Sequence, residues 1–180
     1  MNIRERQAPL RERYKADPAS APIVLRVRSA PSDLADPLHC TVKPDSVSAV
    51  AWASGAHRAV GGAGDVPCSA DLLLGALVAC QETTLRMVAA NIGVALEAVE
   101  IEAEADWDPR GTLAMGDFPI GLTGIRVRTS IALSGEVKPD RAARLLRSAE
   151  KYCVVLNTLR QGVAVESTFE IMEGNDGKHE

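Results

Sequence analysis

Residues 67–93 read PCSADLLLGALVACQETTLRMVAANIG, and the fold turns on this stretch. Ser69 is a natural N-cap, and Asp71 in the first turn favours the positive end of a helix dipole. Only Gly75 interrupts the run behind them, and Asn91 with Gly93 supplies a stop, so the pattern predicts a helix over about 69–91. Its first half, LLLGALVAC, is apolar on every side and must be enclosed by protein all round. In a small domain that means a sheet on one side and a second subunit on the other.

Upstream, IVLRVR (23–28), LHCTVK (38–43) and SVSAVAWA (46–53) read as strands. AVGGAGDVP (59–67) concentrates Gly and Pro and reads as a loop. Downstream, VALEAVEIEAEADW (94–107) alternates apolar and charged residues with period two, a half-exposed strand. DPRG (108–111) suits a type I turn, and GIRVRTSIAL (124–133) alternates again. Pro139 opens a second helix to about Asn157, with Ala142, Leu145, Leu146, Ala149, Cys153 and Leu156 at helical spacing. VAVESTFEI (163–171) reads as a last strand. Residues 1–20 form a charged arm that could be part-helical, residues 21–172 one domain, and 173–180 a disordered tail. Strand groups separated by two helices give an α+β class in which a sheet wraps a long central helix.

Composition narrows the function. The chain has 180 residues, 46% hydrophobic, 24% charged and 3% aromatic, with a net charge of -4. That size can bury a core without staples. Few aromatics and a mild acidity argue against nucleic-acid partners, which need stacking platforms and a basic surface. The apolar stretch 72–88 is broken by Gln81, Glu82, Thr83, Thr84 and Arg86, which argues against a membrane span. MNIRERQAPLRERYK lacks the apolar core of a secretory signal, so a cytoplasmic location is expected, with reduced thiols.

Four cysteines remain to be placed. Free cysteine is a common core filler, and Cys80 and Cys153 both lie on apolar helical positions. Around Cys80, however, the same-face neighbours are Ala76, Thr83 and Thr84, small or hydroxylated groups that leave a sulfur approachable and offer it donors. The threonines could instead bond back to their own helix. Cys80 lies 11 residues from Ser69, about 16 Å along the axis, so its own helix dipole does little for it. A cation from elsewhere would have to favour the thiolate, which is the nucleophile.

Gly61-Gly62, the run from Pro67 to Cys80, the DPRG turn and Cys153 within AEKYCVVLNTLRQGVAV together resemble the OsmC/Ohr family of thiol peroxidases, in element order from about residue 23 to 171. The resemblance implies an intertwined homodimer with sites at the interface and an organic hydroperoxide as substrate. It implies Cys80 as peroxidatic and Cys153 as resolving thiol, reset by an external dithiol reductant, with no cofactor. It also implies an arginine near the end of an N-terminal strand, for which Arg28 is preferred over Arg26. Thr83 and Thr84 are the expected substrate-side groups. The family's helix-start glutamate is replaced by Ala70, and its proline after the second cysteine by Val154. An alternative reading is a non-catalytic dimer that binds a small hydrophobic ligand or senses redox state. Gly61, Gly62 and Gly64 lack the spacing of a phosphate loop, and His39, Cys40, His57 and Cys68 lack that of a metal site, so no metal is expected.

Overall fold

The computed structural model describes residues 3–171. The charged N-terminal stretch forms helix α1 (Ile3–Ala16), followed by a short 3-10 turn at Pro18–Ser20. Three short strands, β1 (Val27–Ala30), β2 (His39–Pro44) and β3 (Trp52–Gly55), form an antiparallel sheet in that order. Val27 faces Pro44, and Cys40 faces Ser54. The strand expected over 23–28 is thus shifted, with only its end paired, and Ile23, Val24 and Leu25 lie exposed. The third expected strand begins only at Trp52.

The long apolar stretch forms helix α2 (Ser69–Ile92). Its N-cap is Cys68, one residue earlier than expected, because the Asp71 carboxylate accepts the Cys68 N–H at 2.8 Å. Gly93 ends it in the left-handed conformation, with φ 66°, where glycine carries no Cβ penalty. Strand β4 (Leu96–Asp106) then pairs antiparallel with β5 (Gly124–Leu133), Ile101 opposite Thr129. The period-two pattern puts Val99, Ile101, Ala103 and Ala105 toward the helices and Glu100, Glu102 and Glu104 outward. Between the strands, DPRG makes one helical turn, α3 (Pro109–Thr112), rather than a β-turn, because the Asp108 carboxylate caps the Arg110 N–H at 3.0 Å.

The second long helical segment is not continuous. It divides into α4 (Pro139–Tyr152) and α5 (Val154–Gln161), with Cys153 between them at φ -72°, ψ 108°. With α1 and α3 this makes five helices among the described residues, where two were expected. Residues 163–171, expected as a strand, pair with no other segment of the described chain. The tail expected over 173–180 lies outside the described residues.

Two apolar clusters hold α2 in place. One packs Leu85, Ala89, Val94, Leu145 and Ala149 with side chains of β4 and β5 around them. The other joins Leu77, Cys153 and Leu156, with Cys80, Ala103, Ile125 and Val127 against them. At 24 residues α2 is long and apolar enough to cross a membrane, and here it is packed by β4, α4 and α5. Its N-terminal half is only partly covered, and Leu73 remains exposed. The result is an α+β fold with antiparallel sheets around a long central helix.

Candidate active site

Cys80 and Cys153 meet at the second cluster. Sequence periodicity put Cys153 within a helix running to about Asn157; the backbone puts it at a break. That break frees two backbone donors. In an unbroken helix the N–H groups of residues 154 and 155 would serve carbonyls one turn back. Here they are the first donors of α5, unclaimed by any helical partner, and they face the Cys80 sulfur.

Burial on its own would push the Cys80 thiol up. It is outweighed by the Val155 N–H, the Cys153 thiol, the Val154 N–H and the Thr84 hydroxyl, so the thiol is held below its ordinary value. Cys153 moves the other way. Burial raises it, the Leu156 N–H works against the rise, and its hydrogen bond to the Cys80 sulfur adds to it, because Cys153 must stay protonated to donate. Cys80 is half-buried, whereas Cys153 is fully buried. The pair is therefore one partly accessible thiol shifted toward the anion beside a buried thiol shifted toward the protonated form.

A second device fixes the break. The Asn157 side-chain amide donates to the carbonyls of Cys153 at 2.7 Å, Lys151 at 3.2 Å and Glu150 at 3.3 Å. Glu150 and Lys151 belong to the last turn of α4, and Cys153 is its C-cap. Arg160 adds an ion pair to Glu150 at 2.6 Å. Both side chains belong to α5, so its first turn is tied to the end of α4 and aimed at the sulfur. Asn157 read in sequence as a helix end, and nothing in its spacing marked this role.

Arg28 is exposed and paired with Asp45 at 3.0 Å, and no arginine of this chain is among the groups acting on the Cys80 sulfur. Within this chain, positive potential reaches the sulfur from the helix start of α5. Thr83 and Thr84 also divide. Thr83 bonds back to the Ala79 and Cys80 carbonyls at 2.8 and 3.2 Å, whereas buried Thr84 turns its hydroxyl to the thiol.

Two clefts are lined by neighbours of the pair. One of about 630 Å³ runs between α2, β5 and α5, bounded by Leu77, Gln81, Ile125, Leu156 and Leu159, and the Gln81 Oε1 beside it is buried without a hydrogen-bond partner. The other lies between α1, α2 and α4 and reaches Thr84. The glycine loop is a tight turn: a Cβ on Gly62 would lie 1.7 Å from the Ala56 oxygen. Among the described residues no three His, Cys, Asp or Glu side chains converge as a metal site. His39 is instead bracketed by Asp36 at 2.7 Å and Asp65 at 3.0 Å.

The sequence pattern of the OsmC-like protein family matches residues 62–168, which include both cysteines. The chain belongs to the OsmC-like protein family. Among solved structures, an OsmC-like protein from Mycoplasma pneumoniae superposes with a TM-score of 0.60 at 17% identity, covering 78% of this chain and 89% of that one. An organic hydroperoxide resistance protein OsmC from Legionella pneumophila gives 0.56 at 19% identity over 78% and 91%. One from Elizabethkingia anophelis gives 0.56 at 17% over 79% and 91%. No curated protein matches the sequence. At these identities the structural likeness concerns the OsmC-like fold.

Proposed function

We propose that this OsmC-like protein reduces organic hydroperoxides, with Cys80 attacking and Cys153 resolving. The observation that carries the reading is the opposite displacement of two touching thiols, the accessible one toward the anion and the buried one toward the protonated form. The Cys80 thiolate attacks the outer peroxide oxygen, the O–O bond breaks, and the alkoxide leaves as an alcohol after taking a proton. Cys80 is then a sulfenic acid. The Cys153 sulfur displaces its oxygen as water and forms a disulfide, which an external dithiol reduces by thiol exchange. A reducing cytoplasm supplies such dithiols. The apolar cleft beside Leu77, Ile125 and Leu159 suits the organic group of the peroxide. The organic hydroperoxide resistance proteins among the similar structures support the same direction.

The working unit in this reading is an intertwined homodimer. Ile23, Val24 and Leu25 are exposed early in the chain, and Val165, Phe169 and Ile171 late in it are 85 to 98% exposed. Apolar segments of that length need a cover, and a second copy of the chain provides one.

The test is turnover of cumene hydroperoxide with dithiothreitol as the dithiol. Cys80→Ser should abolish it, and Cys153→Ser should leave one turnover that ends in a sulfenic acid. Unchanged turnover in Cys80→Ser would sink the assignment. One observation favours a second, non-catalytic reading: an apolar cleft of about 630 Å³ at the start of α2, walled by Val60, Leu73, Trp107 and Ile120, suits a small hydrophobic ligand. A Cys80–Cys153 disulfide formed under stoichiometric peroxide decides for the first.

A further inference from the structure

The cleft between α1, α2 and α4 has a composition that hydroperoxide chemistry does not call for. Its volume is about 660 Å³. Arg4 and Arg11 enter from α1 and Arg144 from α4, and among the described residues no acidic side chain lines it. Arg4 donates to the Asn91 carbonyl, and Arg11 to the Gln7 amide oxygen at 3.3 Å. Neither Arg11 nor Arg144 has an ion-pair partner among the described residues. Elsewhere five arginines take one: Arg28, Arg86, Arg110, Arg126 and Arg160 each hold a carboxylate. Convergent cations left without a carboxylate raise the local affinity for an anion.

The remaining walls set the rest of the ligand. Met87, Val88 and Ile92 of α2 form an apolar side, and Ser148 and Tyr152 of α4 add hydroxyls near Arg144. Guanidinium at the rim over an aliphatic wall suits a molecule with one charged end and an apolar body. The cleft also runs along one stripe of α2. At 100° per residue, Thr84, Met87 and Asn91 lie on the same face as Cys80, so the cleft ends one turn from the thiol.

The geometry points to a binding site for a small amphiphilic organic anion, a phosphate monoester or a carboxylate, held by Arg11 and Arg144 with its apolar part against Met87, Val88 and Ile92. It requires no turnover, so it is tested apart from the peroxidase reading, on the full-length Cys80→Ser protein. Octyl phosphate, octanoate and octanol are titrated by calorimetry below their aggregation concentrations. Saturable binding of octyl phosphate or octanoate, one per chain, is expected, with octanol binding at least tenfold more weakly. The two anions separate the headgroups, octyl phosphate binding more tightly if two charges are read. Arg144→Gln should weaken binding at least tenfold and Arg144→Lys less, while Arg147→Gln, which borders the opposite cleft, should leave it unchanged. On the unmutated site, affinity should fall as salt rises. Equal binding of octanol, no saturable anion binding, or the same affinity in Arg144→Gln would overturn the proposal.

Discussion

Replacing Val154 by proline removes one atom that matters, the backbone hydrogen facing the Cys80 sulfur. The site is suited to the change. Val154 is the first residue of α5, where proline is favoured, and its side chain is 71% exposed. The preceding Cys153 already has the extended geometry proline demands of its neighbour, at φ -72° and ψ 108°. The fold should therefore be kept while one of two backbone donors is lost. A hydrogen bond to a charged group is worth about 1.5–3 kcal/mol. The sulfur is partly open to water, so the lower end applies, and about 1.4 kcal/mol is a factor of ten. At pH values below the thiol's own pKa the thiolate fraction of Cys80, and with it the iodoacetamide alkylation rate, should fall roughly tenfold. Well above the ordinary thiol range the two proteins should react alike. Val154→Ala, which keeps the N–H, should behave as the parent. Peptide mass spectrometry separates Cys80 from the other thiols, and circular dichroism checks α5. Coincident rate profiles for Val154→Pro and the parent would refute the backbone as the source of thiol activation.

Asn157→Ala opens three carbonyl contacts at the end of α4 and should cost about 1–2 kcal/mol in urea denaturation, while also slowing Cys80 alkylation near neutral pH. His39 is held protonated first by Asp65 and then by Asp36, so its folded pKa lies above its unfolded value of 6.5. Its contribution is complete below pH 6.5 and is lost as pH rises through the folded value, so proteolysis of residues 57–66 should quicken over that rise, and His39→Gln should remove the dependence. Leu145→Ala empties a fully buried position between α2 and α4 and should cost about 2–5 kcal/mol, read from the shift in denaturant midpoint.

The elements that periodicity governs were legible. The α2 span, its glycine stop and the alternating pair β4 and β5 all reflect which residues must face the core. What escaped depends on tertiary partners. The stretch 139–157 keeps helical spacing straight through Cys153, because the apolar positions of α4 and α5 bury against the same α2, so periodicity runs across a break that only backbone angles reveal. The segment 163–171 alternates in sequence yet pairs with nothing in its own described chain. For the site, the two thiols could be picked out from their frame, but the source of activation could not. Side-chain reasoning asks for a cation such as Arg28, while two of the four donors within this chain are main-chain groups common to every residue. Thr83 and Thr84 are adjacent and alike, yet Thr83 bonds back to its own helix while Thr84 is buried and acts on the sulfur.

The break at Cys153 also bears on how such a site could drift over time. Donors that belong to the main chain survive almost any substitution at their own positions, so a systematic truncation scan of the residues around Cys80 would find few sensitive positions beyond the two thiols, Thr84 and Asn157. Reactivity of this kind places little demand on the chemical identity of its neighbours and a strict demand on the path of the backbone. Insertions, deletions or a residue that straightens Tyr152–Val154 into continuous helix would silence the thiol without touching any group that a side-chain inventory would name.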